Sequence, residues 1–169
     1  MPCFQQTPGV GWQIVEGRQN MAEVGTNAGL LAVRLVTPDR VLLDASAEAV
    51  ELPSMSGYLE TLYGAAPLLA ELGSGEVRLH GGSAGEQIFF VAWGCAEVLP
   101  ERVTILAEVA VPLNEIDPEQ AQAELRHGAE LWEQAGDDPE KYDKANAVIR
   151  VAEAKLASVA HRNALAGKG

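Results

Sequence analysis

The hydrophobic pattern of this chain changes its period near residue 112, and this change divides the sequence into two parts. Before it, apolar and polar residues alternate, as where Arg34 separates Val33 from Leu35. After it, apolar residues recur every three or four positions. A period of two is typical of β-strands, and a period near 3.6 is typical of amphipathic helices. The sequence therefore predicts a β domain followed by helices.

Turn-forming residues break the first part into short strands. Groups rich in glycine, proline, serine or aspartate occur at residues 37–39, 53–57, 81–85 and 100–102. Many short strands with frequent turns predict an antiparallel β-sandwich or a flattened barrel. The run at residues 88–93 is apolar on both faces, so we expect this strand to lie centrally.

Two helix start signals follow in the second part. Asp117 can cap a first helix with its carboxylate, and Pro118 suits the first helical turn; Asp138 and Pro139 repeat this chemistry. Gly136 is expected to end the first helix. Two helices joined by so short a connection predict an antiparallel hairpin. The fold class expected for the whole chain is α+β.

The three-four spacing also predicts the contact face of each helix. The first face comprises Ala121, Leu125, Gly128, Ala129 and Trp132, and the second comprises Tyr142, Ala145, Ile149, Ala152, Leu156 and Val159. Much of this seam is alanine or glycine. Burial contributes about 0.8 kcal/mol per methylene group, so such small side chains hold two helices together only weakly. We expect the hairpin to depend on another surface for its stability.

The length of 169 residues suits one domain with a smaller appendage. We expect a disordered leader at residues 1–30, a β-sandwich docking domain at 31–112 and a regulatory helical hairpin at 113–169. Met21 precedes the first strand signal closely, so it is the expected natural start of the protein.

Composition excludes several classes of partner and chemistry. The net charge of −12 opposes both nucleic acids and anionic membranes, so no nucleic-acid partner is expected. No apolar stretch reaches the ~20 residues of a membrane span, so no transmembrane segment is expected. Cys3 and Cys95 are far apart, which favours neither a disulfide framework nor a metal cluster. Cys95 is interpreted as a small core residue.

No catalytic or cofactor-binding constellation is expected. Residues 81–85 match the G-x-S-x-G pattern around Ser83, but that motif needs a helix after the serine, and here a strand follows. A glycine-rich hairpin loop is the favoured interpretation, and a serine hydrolase built on Ser83 is the alternative. The histidines, His80, His127 and His161, share no metal-ligand spacing.

Charge is distributed unevenly over the helical part. Residues 113–138 contain eight acids and one base, whereas residues 139–169 contain six bases and three acids. On a helical wheel, Lys144, Lys155 and Arg162 fall within about 20° of one another, beside the apolar seam. This basic stripe either meets an acidic partner or is a solvated flank whose long side chains cover the seam.

One segment resembles a known family. Its matching residues are Leu52, Pro53, Gly57, Leu62, Gly64, Ala66, Pro67, Leu68, Leu69, Leu72 and Gly75. Their order and spacing resemble the LPGxxGxxGxLPGHAPLLxxLxxG signature of the F-type ATP synthase epsilon subunit of bacterial type. Residues 90–107 resemble the family's second signature, and residues 36–38 its opening strand. The resemblance covers residues 31 to about 163.

The resemblance implies a ten-strand sandwich that docks on the gamma subunit and on the polar loops of the membrane-embedded c-ring. It implies a non-catalytic rotor part of a proton-translocating ATP synthase, peripheral to the cytoplasmic face of the bacterial inner membrane. The residues that correspond to the docking surface are Tyr58, Leu59, Glu60, Gly64, Ala65 and Pro67. A generic β-sandwich adaptor with a helical tail is the alternative function.

The resemblance also implies regulation by the helices, which in relatives fold against the sandwich or extend along gamma toward the catalytic subunits and hinder ATP hydrolysis. The basic residues assigned to that role here are Lys144, Arg150, Lys155 and Arg162. Some relatives bind ATP through an I/L-D-x-x-R-A motif. Ile116, Asp117 and Ala121 match it, but Gln120 replaces the arginine, so a phosphate partner is lost and weak or absent nucleotide binding is expected.

Overall fold

The computed structural model describes residues 29–167, so the leader expected at residues 1–30 and the start expected at Met21 lie almost wholly outside the described residues. Its seven strands are β1 (Leu31–Val36), β2 (Val41–Ala47), β3 (Ala49–Ser54), β4 (Gly57–Leu62), β5 (Leu68–His80), β6 (Gln87–Leu99) and β7 (Arg102–Pro112). A 3₁₀ turn (Leu113–Glu115) leads into the helices α1 (Pro118–Gln134) and α2 (Pro139–Ala166). The predicted order of β-sandwich and helical hairpin is confirmed.

The strands form one hydrogen-bonded sheet in the order β2-β1-β7-β6-β5-β3-β4. Neighbouring strands are antiparallel, as predicted, except that β1 pairs in parallel with β7. No direct turn joins β1 to β7, so a hairpin does not impose an antiparallel direction on that pair. The apolar run in β6 occupies the centre of the sheet, and this prediction is also confirmed.

The three longest strands are kinked along one line. In β5, β6 and β7 the pairing skips Gly73, Trp93 and Glu108, which lie side by side. Trp93 has a φ of 60°, a conformation that is strained for a bulky residue. Each long strand thus contributes a segment on either side of the kink. Counted as two segments each, the three strands account for the difference between seven strands and the expected ten.

The kink changes which residues of β6 face the interior of the sandwich. Before it, Phe89 and Val91 join the main core, whereas after it Ala96 and Val98 do so. The inward-facing residues of β6 therefore have odd numbers before the kink and even numbers after it. The largest fully buried side chains of the core include Leu31, Leu35, Leu52, Leu72, Leu79 and Ile105.

A second, smaller apolar cluster lies on the outer face of β6. It contains Phe90 and Ala92 of β6, Leu113 and Ile116 of the connection, and Val159 of α2. Alternate residues of β6 therefore point into the interior and toward α2. This second cluster attaches the helical hairpin to the sandwich.

Both helices begin as the sequence predicts. The Asp117 carboxylate accepts hydrogen bonds from the backbone N–H groups of Glu119 and Gln120, and Asp138 caps α2 in the same way. Gly136, at a φ of 57°, follows the end of α1. Within residues 29–167, neither helix has the length and apolar content that crossing a membrane requires.

The contact face predicted for α1 is partly wrong. Ala121 and Gly128 are buried, but Ala129 is exposed and Trp132 is 48% exposed. The buried positions continue at Ala135, so they recur every seven residues rather than following the drift of an isolated helix. The Trp132 ring instead packs against the ring of Tyr142, with centroids 5.5 Å apart. The predicted seam of α2 is confirmed at Ala145, Ala152 and Val159, which are buried.

The backbone at Gly94 supports a stability prediction. Gly94 has a φ of 120°, and an added methyl group would overlap the carbonyl oxygen of Leu106 on β7. Gly94→Ala should therefore lower the free energy of unfolding by roughly 3 kcal/mol, because backbone strain and overpacking add. Denaturant unfolding measures this loss. Gly85→Ala is the matched control: it has a φ of 63° with open space around it, so only about 1 kcal/mol should be lost. Equal losses for the two variants would contradict the predicted clash.

Candidate functional site: the turn groove and the helix-docking contact

The turn between β3 and β4 forms one wall of a surface groove. In this turn the Ser54 hydroxyl donates a hydrogen bond to the carbonyl oxygen of Gly57 at 2.6 Å. The groove has a volume of about 430 Å³, and the first residues of β5 form its other wall. Its apolar lining comprises Met55, Tyr58, Leu59, Leu68 and Leu69, and we call it the turn groove.

The turn groove exposes much apolar surface. Leu69 is 74% exposed and Tyr58 is 59% exposed, and Met55 and Leu68 are exposed as well. Single exposed apolar residues are common on monomers, but a contiguous group of them marks a surface for a protein partner. The groove can therefore bind an apolar surface, and it holds no group arranged for covalent chemistry.

The structure brings together only some of the residues assigned to the docking surface. Tyr58 and Leu59 line the turn groove, and Glu60 follows them, exposed, on β4. Gly64 and Ala65 lie in the connection to β5, where the Gly64 N–H donates to the carbonyl oxygen of Pro100 at 2.7 Å. The last residue of that connection, Pro67, is exposed and immediately precedes the groove residues of β5.

Sequence reasoning did not single out Met55, Leu68 and Leu69 as site residues. Leu68 and Leu69 belong to the signature segment, and their adjacency was a usable signal. Since neighbouring residues of a strand point to opposite faces, one leucine of such a pair must face outward unless both faces are covered. Met55 gave no such signal.

The four basic residues of α2 that are assigned to regulation do not form one free stripe. The Lys155 ammonium lies 2.7 Å from a carboxylate oxygen of Glu124 on α1, and its side chain is largely buried. Arg162 donates to the carbonyl oxygens of Leu113, Asn114 and Ile116. The remaining two, Lys144 and Arg150, are exposed, and Arg150 lines a cavity of about 400 Å³ between α2 and the sandwich.

The residues that match the nucleotide motif lie around a small cavity of about 80 Å³. The Asp117 carboxylate is engaged as a helix cap, and the Gln120 amide donates to Glu124 at 3.1 Å. Ile116 and Ala121 are buried. Small-molecule sites usually occupy about 300 to 1,000 Å³, so this cavity is small for a nucleotide. Weak or absent nucleotide binding stays a prediction.

Ser83 lies in a hairpin loop, and its hydrogen-bond partner is another serine. Its hydroxyl oxygen accepts from the Ser46 N–H at 2.9 Å and lies 3.0 Å from the Ser46 hydroxyl. A nucleophilic serine needs a base within hydrogen-bond reach, and neither contact supplies one. β6, rather than a helix, follows the loop. This geometry disfavours the serine hydrolase.

A chain of alternating acids and bases crosses the outer surface of β3 and β5. Arg78 bridges Glu76 at 2.9 Å and Glu51 at 3.3 Å. His80 continues the chain, with Nε2 at 3.0 Å from Glu51 and Nδ1 at 2.8 Å from Glu86. Sequence reasoning missed this chain. Its signal was the alternation Glu76, Arg78, His80, which places all three side chains on one face of a strand.

The two carboxylates beside His80 favour its charged form. Both ring nitrogens face acceptors, and an imidazole can donate from both only when it is protonated. The hydrogen bond to Glu86, and then that to Glu51, raise the pKa of His80 above its ordinary value of 6.5.

This shift predicts a pH-dependent contribution to stability. Because the folded-state pKa of His80 is raised, its contribution is fully present below about pH 6.5 and is lost as the pH rises through the folded-state pKa. The difference in free energy of unfolding between the parent chain and His80→Gln should be larger at about pH 5.5 than at about pH 8.5. The effect should be modest because solvent screens the site. Denaturant unfolding at both pH values measures it, and a difference that grows with pH would contradict this assignment.

Comparisons with known proteins agree with this architecture. The family model for the β-sandwich domain of the ATP synthase Delta/Epsilon chain matches residues 30–113, which contain all seven strands. The ATP synthase epsilon chain of Paramagnetospirillum magneticum is 35% identical, over 75% of this chain and 94% of that one. The chloroplastic ATP synthase epsilon chain of Emiliania huxleyi is 42% identical, over 77% of this chain and 98% of that one.

Solved structures show the same fold. A chain of the Euglena gracilis mitochondrial ATP synthase, in a structure of its OSCP/F1/c-ring, superposes with a TM-score of 0.67 at 20% identity. The match covers 77% of this chain and 81% of that one. Sandwich, helical hairpin and signature segment thus define a chain of the Delta/Epsilon type. With relatives this similar over nearly their whole length, the chain belongs to the family of ATP synthase epsilon chains.

Proposed function

We propose that this chain is a non-catalytic subunit of the rotor stalk of a proton-translocating F-type ATP synthase, where its sandwich links the gamma subunit to the c-ring. Membership of the epsilon family supports this proposal, and the single structural observation that carries it is the turn groove with its exposed apolar lining. The protein then lies peripherally at the cytoplasmic face of the bacterial inner membrane, as part of the complex.

The turn groove is the proposed docking surface. Tyr58, Leu59 and Glu60 face the loops of the c-ring, and the connection with Gly64, Ala65 and Pro67 lies beside the same interface. Burial of Leu69 and Tyr58 supplies binding free energy at roughly 25 cal/mol per Å² of apolar surface.

The helical hairpin has a regulatory role in this proposal. In the described structure α2 lies against the sandwich, and its apolar side chains in the outer cluster are the small residues Val151, Ala154 and Val159. When the helices leave this surface and extend along gamma, the basic residues of α2 reach the catalytic subunits and hinder ATP hydrolysis. Lys144 and Arg150 are exposed already, whereas Lys155 and Arg162 exchange their present partners for acidic ones.

A charge placed in the turn groove tests the docking surface. Leu69→Asp should lower the affinity for the gamma subunit and c-ring roughly tenfold or more, about 1.4 kcal/mol, because the carboxylate is desolvated in an apolar interface. Co-purification of the assembled complex measures retention. Leu165→Asp is the matched control, since Leu165 is an exposed leucine near the end of α2. Equal retention of both variants in the complex would contradict the proposed docking surface. If the parent chain does not bind the gamma subunit, a generic adaptor is the favoured function.

Reversal of the Lys155 charge tests the regulatory role. Lys155→Glu should raise the rate of ATP hydrolysis by the reconstituted complex several-fold, because an external acidic partner is then repelled. The Lys155–Glu124 pair is lost as well, so the swap Glu124→Lys with Lys155→Glu is the control that restores it. Both variants should hydrolyse ATP faster than the parent. If the charge swap returns the rate of ATP hydrolysis to that of the parent, Lys155 acts only within the hairpin. If neither variant changes the rate of ATP hydrolysis, inhibition does not act through Lys155.

A further inference from the structure

One buried carboxylate joins the sandwich to the helical hairpin. Glu76, on β5, is only 4% exposed. Its Oε2 atom lies 2.9 Å from Nε and Nη2 of Arg78 and 2.9 Å from Nδ1 of His161 on α2. Two bases, one from each part of the chain, therefore share a single oxygen atom.

The sandwich alone satisfies this carboxylate. A buried ion is costly unless it is paired, and Arg78 pairs with Glu76 from two positions away on the same strand and the same face. Tyr58 supports the arrangement, because its hydroxyl accepts a hydrogen bond from the Glu76 N–H and its ring lies 5.7 Å from the Arg78 guanidinium carbon. Glu76 therefore stays paired whether or not α2 is present.

His161 makes the specific polar contact between α2 and the strands. Within residues 29–167, it is the one side chain of α2 that hydrogen-bonds to a strand residue; Lys155 contacts α1 and Arg162 contacts the connection. A ring nitrogen carries a proton in both the charged and the neutral imidazole, so the contact does not require protonation.

The apolar part of the same interface has little power to select one position of the helix. Its α2 members are Val151, Ala154 and Val159, which cover Phe90 and Ala92. Small side chains of similar shape allow a helix to slide or rotate at little cost. A single buried polar contact removes that freedom, as a polar residue in an apolar helix seam specifies register.

We propose that the Glu76–His161 contact is a latch that holds α2 in one docked position, and that Arg78 keeps Glu76 paired when the latch opens. Opening of the latch then leaves the buried Glu76 carboxylate paired with Arg78, so the helix can leave and return without leaving an unpaired buried acid in the sandwich. The regulatory consequence rests on the function proposed above, whereas the latch itself concerns only this chain.

Hydrogen exchange of the isolated full-length chain tests the latch. His161→Leu should raise the exchange rates of the α2 amides about tenfold and leave those of β5 and β6 within twofold of the parent. His127→Leu, at an exposed histidine of α1, is the matched control and should leave the α2 rates unchanged. Glu76→Met, a side chain of similar size without an oxygen acceptor, should reproduce the effect of His161→Leu, and the double variant should add nothing further.

Two outcomes would overturn the proposal. Exchange of α2 within twofold of the parent in His161→Leu would show that the contact does not hold the helix. Equal acceleration in the strands would show a general contribution to stability rather than a latch. If Glu76→Met does not fold, His161→Leu and its control still decide the question. Because no partner protein is present, failure of this test is distinguishable from failure of the proposed docking to gamma.

Discussion

The structure depends on β6, the central strand, because its two faces serve two apolar clusters. Phe89 and Val91 point into the sandwich, and Phe90 and Ala92 point outward under α2. The clusters are unequal: among the residues that the structure describes, seventeen buried residues form the interior cluster and five form the outer one. Since hydrophobic stabilisation grows with the apolar area removed from water, the sandwich should carry most of the stability.

The helical hairpin is held by weaker means. Its seam contains Ala121, Ala145 and Ala152, and at Gly128 the two helices approach so closely that an added methyl group would overlap Ile149. Close approach of backbones gives contact but buries little apolar surface. Because the hairpin is held weakly on a stable sandwich, the hairpin can open while the sandwich stays folded. The proposed regulatory role needs such an arrangement.

Much of this fold could be predicted from the sequence, because the features that set it are local. Alternation in the strands and the caps at Asp117 and Asp138 act within a few residues. The kink at Trp93 and Gly94 was missed, since two residues at positive φ leave the alternation on each side intact. The prediction of the contact face of α1 was wrong at Trp132, because a partner helix imposes a seven-residue repeat that an isolated helix does not have.

The candidate site was less accessible to sequence reasoning. Tyr58 and Leu59 followed from the signature segment, but Leu69 joins them only because β5 returns beside the β3–β4 turn. The contact of Glu76 with His161 joins residues 85 positions apart. No local pattern contains that information. Lys155 was predicted to lie in a basic stripe that either meets an acidic partner or forms a solvated flank, whereas its ammonium is engaged with Glu124, which lies on the other helix.

Adjacent phenylalanines provide the most direct test of the unequal clusters. Phe89 and Phe90 are the same residue type, both buried, and they face opposite sides of β6. In Phe89→Ala, site-resolved hydrogen exchange should show that the amides of the strands and those of the helices both lose roughly 3 to 5 kcal/mol of protection. In Phe90→Ala, α2 should lose protection while β5 and β7 keep most of theirs. Equal loss of protection in strands and helices for both variants would contradict the account.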